Sequence, residues 1–152
     1  MANTAGVCSS FKSEVLSGIH ALGTTVTRGA TTADTVKAAL YLASSSISAA
    51  TTAYTATGEC AVAGGYSAGG ITVTNATAPS TSGTTGIWTP SASLVFANIT
   101  PGGAVDAVLL YNSTQGDKAI EVCTFTAQTP SAATLTLTMP TNDASNALLR
   151  IA

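Results

Sequence analysis

The chain has 152 residues and a formal charge of −2 at pH 7, from 5 basic and 7 acidic side chains. Ala (28), Thr (27), Ser (16) and Gly (14) fill 85 positions, and only 8% of residues are charged. Five scattered Lys and Arg cannot displace counterions along a phosphate backbone, so nucleic acid is not an expected partner. No run of about 20 apolar residues offers a transmembrane helix, so a membrane is not expected either.

The length fits one domain of about 100–200 residues. Leu, Ile, Val and Phe total 31, and mean hydropathy is +0.38, enough for a modest core with Ala and Thr in support. The surface must then be largely hydroxyl and small apolar groups. A hydroxyl leaves water far more cheaply than a charge, and the charge repulsion that holds free monomers apart is nearly absent. Such a surface suits a protein that works inside an assembly. Met1–Cys8 has neither the basic start nor the apolar core of a signal peptide, which implies synthesis in the cytoplasm. Cys8, Cys60 and Cys123 form no C-x-x-C pair and are expected as reduced, buried small hydrophobes.

In chain order, residues 1–8 read as an extended N-terminal arm. Ser9 and Ser10 cap an expected helix carrying Phe11, Val15, Ile19 and Leu22 on one stripe, stopped by Gly23. Thr35–Ala43 alternates as a strand. Residues 44–56 read as a long surface excursion, and Glu59–Val62 as the start of a strand. Ile71–Thr74 is a short strand, whereas 75–86 carries no core residue and reads as a flexible loop. Short strands follow at Ile87-Trp88 and Leu94–Phe96. After the turn Pro101-Gly102-Gly103, Ala104–Tyr111 and Ala119–Thr126 make a hairpin across Asn112–Asp117. Thr134–Met139 and Ala147–Ile151 complete the set. About eight strands with regular turn signals predict a mainly β fold, an antiparallel β-sandwich or Greek-key barrel with one N-terminal helix. Residues 9–152 are expected to form a single β-rich domain behind the arm.

Chemistry-bearing residues are sparse. His20 is the one imidazole, and a surface or helix-cap role suits it better than general-base work. The carboxylates Glu59, Asp106, Asp117, Glu121 and Asp143 come singly, without the pairing that glycoside hydrolysis needs. Asp106, inside an apolar strand, either faces outward or pairs with Arg150 or Lys37. The glycines Gly64-Gly65 and Gly69-Gly70 lack the G-K-S/T of a phosphate loop. No zinc or calcium pattern is present. The expectation is no enzyme, no cofactor and no metal. Trp88 is the sole tryptophan and a candidate either for the core or for a partner contact.

Several segments, in order, resemble a family of small virion structural proteins of tailed bacteriophages. They are the start MANT…CSSFKSEVLSGIH, Lys37–Tyr41 (KAALY), Thr51–Glu59 (TTAYTATGE), Gly65–Gly70 (GYSAGG), Leu109–Thr114 (LLYNST) and the terminal TNDASNALLRIA. The middle, residues 75–103, departs from the pattern in its extra Thr, Ser and Pro. The resemblance brings no catalytic residues. It implies a virion component, and first a capsid cement (decoration) protein on the capsid surface, with the major capsid protein and copies of itself as partners. A small cyclic homo-oligomer is expected, a trimer by analogy with other cement proteins. A tail or fibre-attachment component is the alternative, and a carbohydrate-binding adhesin module with Tyr41, Tyr54, Tyr66, Tyr111 and Trp88 as aromatic platform is a third reading. The candidate partner-interface residues are Ala2, Asn3, Thr4, Phe11 and Trp88, the arm adding a strand to a neighbour's sheet.

Overall fold

Runs of branched and aromatic side chains fit a pleated, half-buried surface, and the chain answers with ten short strands. The computed structural model describes residues 5–8, 15, 19–23, 33–74, 77–83 and 85–151. The strands are β1 (Ala5–Val7), β2 (Val36–Leu42), β3 (Ile71–Thr72), β4 (Ser80–Ser82), β5 (Thr85–Trp88), β6 (Leu94–Ile99), β7 (Val105–Asn112), β8 (Lys118–Gln128), β9 (Ala133–Leu137) and β10 (Leu149–Ile151). All pairings are antiparallel, in a five-stranded sheet of order β1-β8-β7-β2-β3, a three-stranded sheet β10-β5-β4 and a two-stranded sheet β6-β9. The fold is β-sandwich-like, as the alternation predicts.

The centre is the β2–β7–β8 ladder. β7 and β8 form the expected hairpin, and β2 lies along the other side of β7 from Val36↔Asn112 to Leu42↔Val105. Because side chains alternate, one face of this ladder carries Ala39, Tyr41, Leu109 and Tyr111, and the other Ala38, Leu40, Val108 and Leu110. The second face meets the smaller sheets: Val108 and Leu110 line a cleft with Leu94 of β6 and Leu137 of β9. Over the first face lies the 51–70 segment, which seats Tyr54 against Tyr111. Both faces of the central strands are therefore buried, and Leu40, Tyr41, Leu109 and Leu110 have no exposed surface.

Three expectations change on contact with the structure, and the N-terminal helix is not among them. The helix expected between Ser9 and Gly23 lies largely outside the described residues, of which Val15 and Leu22 pack on the core. The arm is not free along its length: Ala5–Val7 is the edge strand β1, paired from Ala5↔Cys123 to Val7↔Glu121, and Cys8 donates its backbone N–H to Ile120 at 3.2 Å. Glu59–Val62 makes no strand, only the isolated bridge Tyr41↔Glu59. Within 75–86, Ser80–Ser82 pairs with β5 in a tight hairpin (Ser82↔Thr85), with Gly83 at φ 61° in the turn. A Ser-Thr-Ser strand has no apolar alternation, and cross-strand pairing alone reveals it.

Gly70 shows how closely the covering segment approaches the ladder. Its φ is +71°, and a Cβ there would stand 1.8 Å from the carbonyl oxygen of Ala38. Gly70→Ala should therefore destabilise the fold by about 3 kcal/mol or more, from backbone strain plus the clash. Gly83, at φ +61° with open space around it, should cost only about 1–2 kcal/mol as Gly83→Ala. Urea denaturation of the two variants against the parent chain measures the difference.

Candidate functional site

Glu59 is the hub of the segment that covers the ladder. Its Oε1 accepts from the Tyr66 hydroxyl at 2.7 Å and from the Gly69 backbone N–H at 2.8 Å, and its Oε2 accepts from the Tyr54 hydroxyl at 2.6 Å. Each donor is then tied onward. The Tyr66 oxygen accepts the backbone N–H of Leu40 on β2 at 3.0 Å, and Tyr111 on β7 donates to the Gly69 carbonyl at 2.8 Å. Tyr54 stacks on Tyr111 with ring centroids 4.9 Å apart, and Tyr41 donates to the Thr55 carbonyl at 2.5 Å. All four tyrosines of the chain converge here. Burial, reinforced by the Glu59 charge, pushes every one of these phenols up: Tyr41 and Tyr111 to about 12, Tyr54 and Tyr66 further. They stay protonated and act as donors at any physiological pH.

A second polar node sits at the start of β2. Asp34 Oδ2 accepts from the Ala21 backbone N–H at 2.9 Å and from Asn112 Nδ2 at 2.7 Å, and its Oδ1 accepts from Gln115 Nε2 at 3.1 Å. Asn112 Nδ2 also lies 3.1 Å from His20 Nδ1, while Asn112 Oδ1 accepts from Thr114 N and Gln115 N in the turn after β7. His20 thus joins the N-terminal segment to the ladder. A third node is the loop before β10, where Asp143 accepts from Thr141 Oγ1, Ser145 N and both nitrogens of Asn146; these bonds hold its carboxyl well below the usual range.

Glu121 is different. It lies on β8 between Val7 and Leu110, only 1% exposed, and its Oε2 has no hydrogen-bond partner. Burial pushes its carboxyl up to about 8, against the opposing pull of the Cys123 thiol and the Arg150 charge. It is therefore largely a neutral acid at pH 7. Its neighbour Cys123 is a half-buried free thiol, raised by burial and by Glu121, as Cys60 is raised by burial to about 11. Neither thiol is set up as a nucleophile. Beside Cys123 opens the apolar cleft of about 410 Å³, walled further by Phe125, Met139 and Leu148.

Trp88 is in the core at 2% exposure, packed with Leu149 across the β5–β10 pair, so this interface candidate is corrected to a core residue. A large ring in a small, Leu-poor chain is most stable where it can bury its area. Ala2, Asn3, Thr4 and Phe11 lie outside the described residues. Asp106 is half-buried at a bulge between Val105 and Ala107 and pairs with neither Arg150 nor Lys37 among the described residues. Among the described residues no three His, Cys, Asp or Glu side chains group to hold a metal. Sequence reasoning missed the Glu59–tyrosine hub; its one available signal was the recurrence of Tyr beside Glu and Gly in TTAYTATGE and GYSAGG.

Glu59→Ala leaves two phenols and one backbone N–H without an acceptor and should cost about 3 kcal/mol, read as a lowered urea midpoint, with Glu59→Gln milder. Glu121 sets a pH dependence. Its folded value lies above its ordinary 4.5, so the folded state holds the proton more tightly. Stability is then greatest below about pH 4.5 as far as this group is concerned, and falls as pH rises to about 8, by up to about 5 kcal/mol. Thermal unfolding at pH 5 and pH 9 should show that fall, and Glu121→Gln should flatten it. No family model, curated protein or solved structure matches the chain, so its own geometry carries the functional reading.

Proposed function

We propose that this chain is a non-enzymatic virion structural protein, and specifically a cement protein that binds the mature capsid shell. The observation that carries the reading is the division of labour among its polar groups. The carboxylates that organise the chain, Glu59, Asp34 and Asp143, are spent on internal bonds. What faces outward on the strands is almost chargeless: Ser80 and Thr81 on β4, Val95 and Ala97 on β6, Thr134 and Thr136 on β9. Such a surface desolvates cheaply against a large protein lattice. The ordered resemblance to phage virion proteins supports the same reading. In this role the protein acts by mass action: it binds the expanded lattice and not its open or unfolded forms, so each bound copy stabilises the shell. Its partners are the major capsid protein and further copies of itself.

The adhesin reading loses its main support, because the aromatic groups a sugar platform requires are turned inward: Tyr41, Tyr66, Tyr111 and Trp88 are all buried. The test is co-sedimentation of the purified chain with expanded shells, unexpanded shells and isolated tails lacking it. Saturable binding to expanded shells, at a stoichiometry tied to the lattice, is the expected result. Binding to tails alone would replace the cement role with that of a tail component, and binding to none would overturn both.

A further inference from the structure

Glu121 sits on β8 with Val7 of β1 directly opposite on one side and Leu110 of β7 directly opposite on the other. Paired residues share a face of the sheet, so Val7 and Leu110 flank the carboxyl, and neither brings a charge. Only 1% of Glu121 is exposed, and its Oε2 has no hydrogen-bond partner. The described titratable or charged groups that face it are the Cys123 thiol on the same strand, which hydrogen-bonds it, and Arg150 on β10. Cys8, just past β1, acts on Cys123. A neutral acid tolerates such a site. A carboxylate does not, because an unsatisfied buried oxygen costs far more when it is charged.

The two flanks are unequal. β7 has eight residues, is paired on both sides, and is buried throughout except at Asp106. β1 has three residues, Gly6 and Val7 are only half-buried, and its one strand partner among the described residues is β8. Short elements with little buried area open at the least cost. We propose that β1 is a pH-released strand: when Glu121 loses its proton, β1 leaves the β8 edge and water reaches the carboxylate, while the β2–β7–β8 ladder stays formed. Closed, the acid is held neutral up to about pH 8; open, it returns to its ordinary 4.5. Opening therefore releases one proton. Its equilibrium constant rises about tenfold per pH unit between those two values and levels off above the upper one. The device works whether or not the chain binds a shell.

The test is hydrogen exchange of the full chain from pH 5 to 9, read amide by amide and corrected for the intrinsic rate. The Cys8 amide, which donates to Ile120, reports on β1. Its protection should fall about tenfold per pH unit up to about pH 8, and at every pH it should stay at least about tenfold below that of the β2 and β7 amides. Glu121→Gln, which keeps the shape and cannot ionise, should remove the slope at Cys8. Arg150→Gln is the second variant, at an exposed position. The Arg150 charge favours the ionised acid, so its loss should carry the fall to higher pH. Equal protection at Cys8 and in the ladder would mean that the molecule opens only as a whole, and would overturn the inference. So would weak protection at Cys8 without a slope, or a slope that survives Glu121→Gln.

Discussion

A carboxylate taken out of water must be given donors, and that constraint at Glu59 organises the molecule. Its two oxygens draw in Tyr54, Tyr66 and the backbone of Gly69. These three groups belong to a stretch too poor in large apolar side chains to hold itself against a sheet by burial alone. The Ala-, Ser- and Thr-rich segment between β2 and β3 therefore docks through directed bonds, with aromatic stacking of Tyr54 on Tyr111 supplying apolar area. Because hydrogen bonds are directional, the result is a specified cover where hydrophobic burial alone would leave a loose one.

The same economy appears elsewhere. Asp34 and Asn112 clasp the N-terminal segment to the turn after β7, and Asp143 shapes the loop that leads into β10. A chain with only 12 charged residues among 152 places three of its carboxylates, Glu59, Asp34 and Asp143, at joints. Glu121 differs from these three, a neutral acid held inside the sheet with one oxygen unsatisfied. It lowers stability as pH rises, and nothing else in the fold depends on it in the way the covering segment depends on Glu59.

The joints fall in four short segments of the sequence. TTAYTATGE carries Tyr54 and Glu59, GYSAGG carries Tyr66 and Gly69, LLYNST carries Tyr111 and Asn112, and the terminal stretch carries Asp143 and Asn146. Residues that must meet at fixed angles tolerate few replacements, whereas exposed Thr and Ser tolerate many.

The sequence by itself determined the class of fold and the central hairpin. Val105–Asn112 is a nearly continuous apolar run, Lys118–Gln128 is rich in branched and aromatic residues, and the turn between them is rich in Asn, Gly and Asp, while β6 and β9 carry a period of two. These are local properties of neighbouring residues, so they can be read without a partner. Tertiary structure alone decided the rest. It placed Trp88 in the core, tied β1 to β8, and made a strand of Ser80–Ser82, whose polar residues become a strand only against β5. It also gathered four tyrosines around Glu59 from positions 41 to 111. A hydrogen bond between residues tens of positions apart leaves no periodicity along the chain; it exists only once the ladder has brought its ends together.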